Sequence, residues 1–243
     1  MRYLVISDVH SNAPALEAVQ QDAPAYDQVV CLGDIVGYGP DPNACVAQVR
    51  ELEPVCLAGN HDWGAVGRAD VRVFNHEARE ALIWTQHQLT RSNRTYLQSL
   101  APQQKLVDGI LLAHGSPRDP VWEYLVDASS AAQVFEGFEF EVVLVGHSHL
   151  PLATVWHDDV QRAQPLRGEE GLQISLKGRR LILNPGSVGQ PRDGNPKASY
   201  ALLDTKAGTW VFRRIAYPVE ATQARMRAKD LPQRLIDRLE LGR

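Results

Sequence analysis

Between Tyr3 and Asp62 the chain passes three times through one pattern: a short apolar run, then a polar turn, with a helically spaced stretch following the first two. Short apolar runs bounded by turn residues read as buried strands. Strands that alternate with helices restrict the chain to a mainly parallel sheet, because parallel neighbours need a crossover between them. The first run, Tyr3–Ser7, stops at Asp8-Val9-His10-Ser11-Asn12. Asn12 or Ser11 can cap the helix that follows, Pro14 fits its first turn, and Leu16 and Val19 share a face. The second run, Gln28–Leu32, is closed by Gly33-Asp34 and a loop of Gly37, Gly39, Pro40 and Pro42; Asn43–Leu52 then reads as a helix with Val46 and Val49 inward. The third, Pro54–Leu57, closes at Ala58-Gly59-Asn60-His61-Asp62. In open sheets of this type, ligands bind beyond the carboxyl ends of the strands.

Residues 74–100 have the spacing of two helices, with Phe74, Ala78, Ala81, Leu82, Trp84, Thr85 and Leu89 on one face. Gln104–Val107 and Ile110–Ala113 form a hairpin about Asp108-Gly109, a type I′ signal. A weak helix over Asp127–Phe138 leads to the strand Val142–Val145 and the turn Gly146-His147-Ser148-His149. Beyond it the chain reads as an antiparallel half, with strands at Leu152–Trp156, Gly171–Leu176, Arg179–Leu183, Ser199–Leu203 and Thr209–Ile215. The loop Asn184-Pro185-Gly186-Ser187-Val188-Gly189 interrupts it, and we read that loop as shaping backbone near a site. A charged helical tail, about 219–241, has Leu231, Leu235, Ile236 and Leu239 on one face. That stripe packs on its own body or serves as a dimer surface, so an oligomer is compatible with the sequence. The expected architecture is one α/β domain over 1–243, with two sheets packed face to face and helices outside.

Composition narrows the function classes. With 29 acidic and 25 basic residues the net charge is −4, which gives no footprint for a dedicated nucleic-acid-binding surface. Cys31, Cys45 and Cys56 show neither a CxxC nor an even framework, so they read as core residues. No leader-like segment and no membrane-length apolar run is evident, and the expected location is the cytoplasm.

The chemistry gathers at the strand ends: Asp8 and His10, Asp34, Asn60 and His61, His114, then His147 and His149. Five of the eight histidines fall there, too many for chance placement. Mixed Asp, Asn and His suits Mn²⁺, Fe²⁺, Co²⁺, Ni²⁺ or Zn²⁺. Asp8, His10, Asp34, Asn60, His114, His147 and His149 are too many ligands for one ion, whereas two divalent ions sharing Asp34 would use them well. Such a pair keeps the site net positive toward phosphate and makes a nucleophile of bound water at neutral pH. His61 is placed to act as a general acid to the leaving oxygen or as a donor to developing charge, with Asp62 in support of its ring. Asn12 and Arg118 are candidates to touch the substrate phosphate. His76 and His87 lie on the helical stretch without an assigned role, and His157 sits in a polar turn.

Read in order, Asp8-x-His10, Gly33-Asp34, Gly59-Asn60-His61-Asp62, His114 and Gly146-His147-x-His149 resemble the calcineurin-like metallophosphoesterases. The resemblance implies a four-layer αββα sandwich and a two-metal phosphoester hydrolase. It implies one metal held by Asp8, His10, Asp34 and His149, a second held by Asp34, Asn60, His114 and His147, and His61 as the catalytic histidine. The Ser/Thr phosphatases and symmetrical diadenosine tetraphosphatases of the superfamily carry Asp-Arg-Gly soon after Gly-Asp, and Arg before Gly-Asn-His. Here Ile35-Val36-Gly37-Tyr38-Gly39-Pro40 follows Asp34 and Ala58 precedes Gly59, so the chain is more similar to the small bacterial and archaeal phosphodiesterases.

The expected activity is attack of a metal-bridging hydroxide on a nucleotide-like or cyclic phosphodiester, with manganese the preferred metal. A broad phosphomonoesterase would use the same centre. A protein-interaction scaffold of this fold, such as a subunit of the retromer coat, would show lost ligands or a replaced His61. No Gly-x-Ser-x-Gly elbow supports a serine hydrolase.

Overall fold

The computed structural model describes residues 1–107 and 109–243. Two six-stranded sheets form its centre. The first is built from β1 (Arg2–Ile6), β2 (Gln28–Cys31), β3 (Val55–Cys56), β9 (Gln173–Ser175), β11 (Ala198–Asp204) and β12 (Thr209–Ile215), in the order β3-β2-β1-β11-β12-β9. The second is built from β4 (Gln103–Val107), β5 (Ile110–Ala113), β6 (Val142–Leu144), β7 (Pro151–His157), β8 (Arg162–Arg167) and β10 (Leu181–Pro185), in the order β4-β5-β6-β10-β7-β8.

Side chains alternate across a strand, and β1 shows what that does. Tyr3 and Val5 point between the sheets, where they meet Val30, Leu32, Leu112, Leu144, Leu183, Trp210 and Phe212. Leu4 and Ile6 point outward against helices α1 (Ala13–Asp22) and α2 (Pro42–Glu51), through Leu16, Val19 and Val46. That outer layer also holds α3 (Asn60–Val66), α4 (His76–Gln88), α5 (Arg91–Ser99), α7 (Val219–Arg227) and α8 (Gln233–Leu241). On the far side α6 (Ala128–Gly137) covers the second sheet, with Val134 and Phe135 against Val143, Trp156 and Ile182. The result is the four-layer αββα sandwich. The apolar stripe of α8 is buried within the chain's own body, at Leu235, Ile236 and Leu239.

Several elements differ from the sequence reading. The antiparallel half is divided between the sheets, and β10 runs parallel to β6 with Ile182 opposite Val143. No local pattern states that pairing. Strand β8 has no clear signal in the sequence, because Pro165 and flanking arginines break its periodicity; it lies at a sheet edge, where a missing amide is tolerated. Asn60–His61 opens the helix α3 rather than a plain turn. Seven residues are too few for a helical period to be visible in sequence. The tail is two helices, and Pro232 caps the second. The Asp108-Gly109 turn lies outside the described residues at Asp108. Asn12 caps α1, and its side chain accepts from the Ala15 amide at 3.3 Å. Among the described residues no helix is long and apolar enough to cross a membrane.

Candidate metal centre

Parallel strands deliver their carboxyl ends to one rim. β1 lies parallel to β2, β2 to β3, β5 to β6 and β6 to β10. The loops beyond these ends are tied together: the Asp8 amide donates to Gly33 at 3.0 Å, the Gly146 amide to His114 at 2.9 Å, and the Val188 amide to Ser7 at 3.0 Å. The turns are sharp. Asp8, His10, Asp34, His147 and His149 all take positive φ, between 48° and 62°. A left-handed conformation at a residue with a side chain costs about 1–3 kcal/mol and persists only where the surroundings hold it. Here it aims the side chains inward. The loop Asn184–Gly189 supports the rim from behind: the Ser187 hydroxyl donates to the Asp8 carbonyl at 2.8 Å and the Asn184 amide to the Gly146 carbonyl at 2.7 Å.

Two clusters result, and they share Asp34. Asp8, His10, Asp34 and His149 each offer an atom within 4.8 Å of the others, and so do Asp34, His114 and His147. Asn60 joins the second, its Oδ1 lying 3.3 Å from His114 Nε2. The histidines are oriented from behind by main-chain carbonyls. His10 Nδ1 faces Val36 O at 3.1 Å, His114 Nδ1 faces Leu32 O at 2.8 Å and His149 Nδ1 faces Gln190 O at 2.6 Å. Those partners assign the proton to Nδ1 and leave the Nε2 lone pairs for a ligand. His147 is turned the other way: its Nε2 faces Trp122 O at 3.1 Å, so Nδ1 is its free nitrogen.

The donor set fits divalent cations. Asp8 Oδ1 and Oδ2 and Asp34 Oδ2 are buried without a hydrogen-bond partner. Buried carboxylate oxygens left unpaired are costly unless a cation meets them. In the cation-free protein, burial pushes the Asp8 carboxyl up to about 7. Burial would do the same to Asp34, but the charged His114 that faces it holds it well below the usual carboxylate range. Burial opposes a charged His114, yet Asp34 and Asp8 hold its imidazole up at about 9. Burial drives His10 and His149 well below the ordinary imidazole value, His61 to about 4 and His147 to about 3. The short approaches of His10 to Asp8 and Asp34, 3.8 and 3.7 Å, are therefore contacts of a neutral ring.

His61 lies beside both clusters. Its amide donates to Asp34 Oδ1 at 2.8 Å, and its Nδ1 is buried with no partner. Tyr38 packs on the ring at 4.3 Å, Phe74 at 5.0 Å, and a Cβ on Gly37 would come within 2.5 Å of Nδ1. The ring is thereby fixed. Asp62 does not support it as the sequence reading expected. Its Oδ1 accepts from the Val36 amide at 3.1 Å and its Oδ2 from the Gly59 amide at 3.0 Å, so both oxygens hold the loops instead.

Two substrate candidates also fall elsewhere. Asn12 is consumed by the fold: Nδ2 donates to Gly189 O at 2.9 Å, and Oδ1 accepts from Thr222 Oγ1 at 2.9 Å. Arg118 is engaged within the protein, in an ion pair with Glu123 and a hydrogen bond to Gln133. His76 and His87 are exposed on α4, near Glu80 and Ile83 O, and His157 faces Gln164 at 2.9 Å. Sequence reading missed Tyr38 and Arg192. Arg192 Nη2 donates to Tyr38 Oη at 3.3 Å and to Gln190 Oε1 at 3.0 Å. In sequence Arg192 is one cation in a polar turn, and no local signal marks it.

Known proteins resemble this chain in sequence and in fold. The model of the calcineurin-like phosphoesterase superfamily domain matches residues 1–208. An uncharacterized protein of Methanocaldococcus jannaschii is 36% identical over 246 aligned positions, covering 98% of this chain and 97% of that one. A metallophosphoesterase from Sphaerobacter thermophilus is similar in structure, with a TM-score of 0.92, 43% identity and complete coverage of both chains. A hypothetical protein of Pyrococcus horikoshii shares the fold at a TM-score of 0.81 and 21% identity, over 100% of this chain and 98% of that one.

Proposed function

The chain belongs to the calcineurin-like phosphoesterase superfamily, and from that premise we propose that it is a phosphodiesterase working with two divalent metal ions on nucleotide-like or cyclic phosphodiesters. The observation that carries the reading is Asp34. It belongs to both ligand clusters, and its Oδ2 is buried without a hydrogen-bond partner, 3.4 Å from His114 Nε2. Asp8, His10, Asp34 and His149 would hold one ion, and Asp34, Asn60, His114 and His147 the other. When bound, such a pair lowers the pKa of water and offsets the charge of the phosphate.

The chain's own residues do the rest. Asp34 positions His61 through its amide, and Tyr38, Phe74 and Gly37 prevent the ring from turning. Burial keeps His61 neutral at ordinary pH. As a neutral ring it serves as an N–H hydrogen-bond donor to the phosphate oxygens and to the charge that develops on them in the transition state. The buried carbonyls of Val36, Leu32 and Gln190 keep His10, His114 and His149 in the tautomer that ligates. Manganese is the first metal to try, because mixed carboxylate and imidazole ligands suit it.

The test is hydrolysis of an aryl phosphodiester beside its monoester by metal-stripped protein, with Mn²⁺ restored. Metal-dependent cleavage of the diester is expected. His61→Ala should lower kcat by about 10²–10⁴-fold while metal content stays unchanged. Preference for the monoester would make the protein a phosphatase. Inactivity on both esters with every divalent ion would sink the hydrolase reading in favour of a binding scaffold.

A further inference from the structure

A cleft of about 690 Å³ opens beside the metal-ligand cluster. Tyr38, which packs on His61 and His10, lines it on one side, and Tyr124, stacked on His147 at 3.9 Å, on another. The C-terminal helix α8 and the residues after it complete the lining. Four arginines line this space against two acidic side chains, Glu77 and Asp237.

Two of those arginines pair with no Asp or Glu side chain among the described residues. The carboxylate beside Arg192 in sequence, Asp193, is taken by Arg214 and by Arg167 at 3.5 Å. Arg192 is left with Tyr38 Oη and Gln190 Oε1, and its Nε is buried and unpartnered. Arg238, half-buried on α8, gives Nε to the main-chain oxygen of Arg243. The acids of the cleft are engaged elsewhere: Glu77 pairs with Arg234 at 3.2 Å, and Asp237 accepts from Gln233 at 2.6 Å. Both side chains line the same cleft, and burial and the charge of Arg192 push the Arg238 guanidinium down to about 10.

Guanidinium groups grip phosphate through paired N–H donors, and a phosphate between them would relieve both the repulsion and the open donors. Arg192 touches Tyr38, which packs on His10 and His61, and Gln190, whose carbonyl faces His149, whereas Arg238 enters the same cleft from α8. We propose that Arg192 and Arg238 form a subsite for a second phosphate group of the substrate, beyond the one that is cleaved. The proposal rests on the phosphodiesterase reading and deepens it: the substrate class is diesters that carry a second phosphate beside the scissile one. The helix that supplies Arg238 lies beyond the segment matched by the superfamily model, residues 1–208, so this wall is added to the common catalytic body.

Two measurements on the full chain test it. In the first, inorganic phosphate is titrated into metal-free protein by calorimetry. Arg238→Gln and Arg192→Gln should each weaken binding by about tenfold to a hundredfold, the size of a lost charge-assisted hydrogen bond. Arg238→Lys should recover part of it, and Arg227→Ala, an exposed arginine outside the cleft, should change nothing. In the second, Mn²⁺-loaded protein is given an aryl ester of a nucleoside 5′-monophosphate and the matching ester of the 5′-diphosphate. The diphosphate should have the lower KM by at least about tenfold, and Arg238→Gln should erase that advantage with a smaller change in kcat. Phosphate binding that is indifferent to Arg238, or an unchanged ratio between the two esters in the variant, would overturn the subsite. Arg238-dependent phosphate binding by a protein that hydrolyses no ester would keep the subsite and remove the phosphodiesterase reading.

Discussion

His10 and His149 bring their Nε2 atoms to within 3.0 Å of each other, although each ring has its Nδ1 against a main-chain carbonyl. Two lone pairs therefore meet inside the protein, 3.4 Å from Asp8 Oδ1 at the His149 side. That contact is unfavourable until a cation enters. Mn²⁺ or Zn²⁺ at about a hundred times its Kd should stabilise the fold by about 2.7 kcal/mol, which for a chain of this size is roughly 5–10 °C in Tm. Scanning calorimetry with and without metal reads the gain directly, and His149→Ala should shrink it. An unchanged Tm with every divalent ion would contradict the assignment of these residues as ligands.

Asp62 makes a prediction of a different kind. Both its oxygens accept main-chain amides, from Val36 and Gly59. Asp62→Ala would leave two buried donors open, each costing about 1–3 kcal/mol. Denaturant unfolding of the metal-free protein should show that loss, and Asp62→Asn should lose less. If Asp62 served His61 instead, the alanine variant would lower kcat with little change in the unfolding midpoint.

Gly59 is fixed by contact. A Cβ there would lie 2.0 Å from Asp34 Oδ1 and 2.7 Å from the Asp34 amide. Gly59→Ala must therefore displace the carboxylate common to both clusters, at a cost of about 1–3 kcal/mol. Metal content measured after dialysis should fall together with stability. Normal metal retention by the alanine variant would refute this.

The pH dependence of the metal-free protein follows from its buried groups. His61 and His147, held at about 4 and 3, and His10 and His149, held well below the ordinary value, stay neutral in the fold. Unfolded, each takes a proton near pH 6.5. Their contribution is complete above that pH and is lost as the pH falls. Asp8 and Asp62, both raised to about 7, act oppositely, but four histidines outweigh two acids between about pH 4 and 6.5. On the alkaline side His114, held at about 9, contributes fully below 6.5 and loses its contribution as the pH rises through 9. Urea midpoints taken in chelator at pH 5, 7 and 9 should therefore be highest at pH 7. A midpoint that rises steadily to pH 9 would be inconsistent with a charged His114–Asp34 pair.

The candidate ligands were legible in the sequence because each sits directly after a short apolar run, and a parallel sheet brings such positions to one rim. Strand, turn and helix signals of this kind are local. The cap at Asn12, the glycines at Gly33 and Gly59 and the polar ends at Asp8, Asp34 and His114 are read within a few residues of themselves. The same locality explains the misreadings. Sequence places Asn12 and Asp62 beside ligands and so suggests functional roles for them, but their partners are Thr222, Gly189, Val36 and Gly59.

What the sequence by itself determined was the set of side chains offered at the strand ends and the αββα layering that gathers them. Only the tertiary structure decided the pairing of β10 with β6, the tautomers imposed by distant carbonyls, and the placing of Arg192 and Arg238, 46 residues apart, in the lining of one cleft. The physical reason is range. Periodicity and turn chemistry act between neighbours along the chain, whereas charge balance is settled by whatever the fold brings within a few ångströms. An arginine's partner cannot be known until every carboxylate within its reach has been placed.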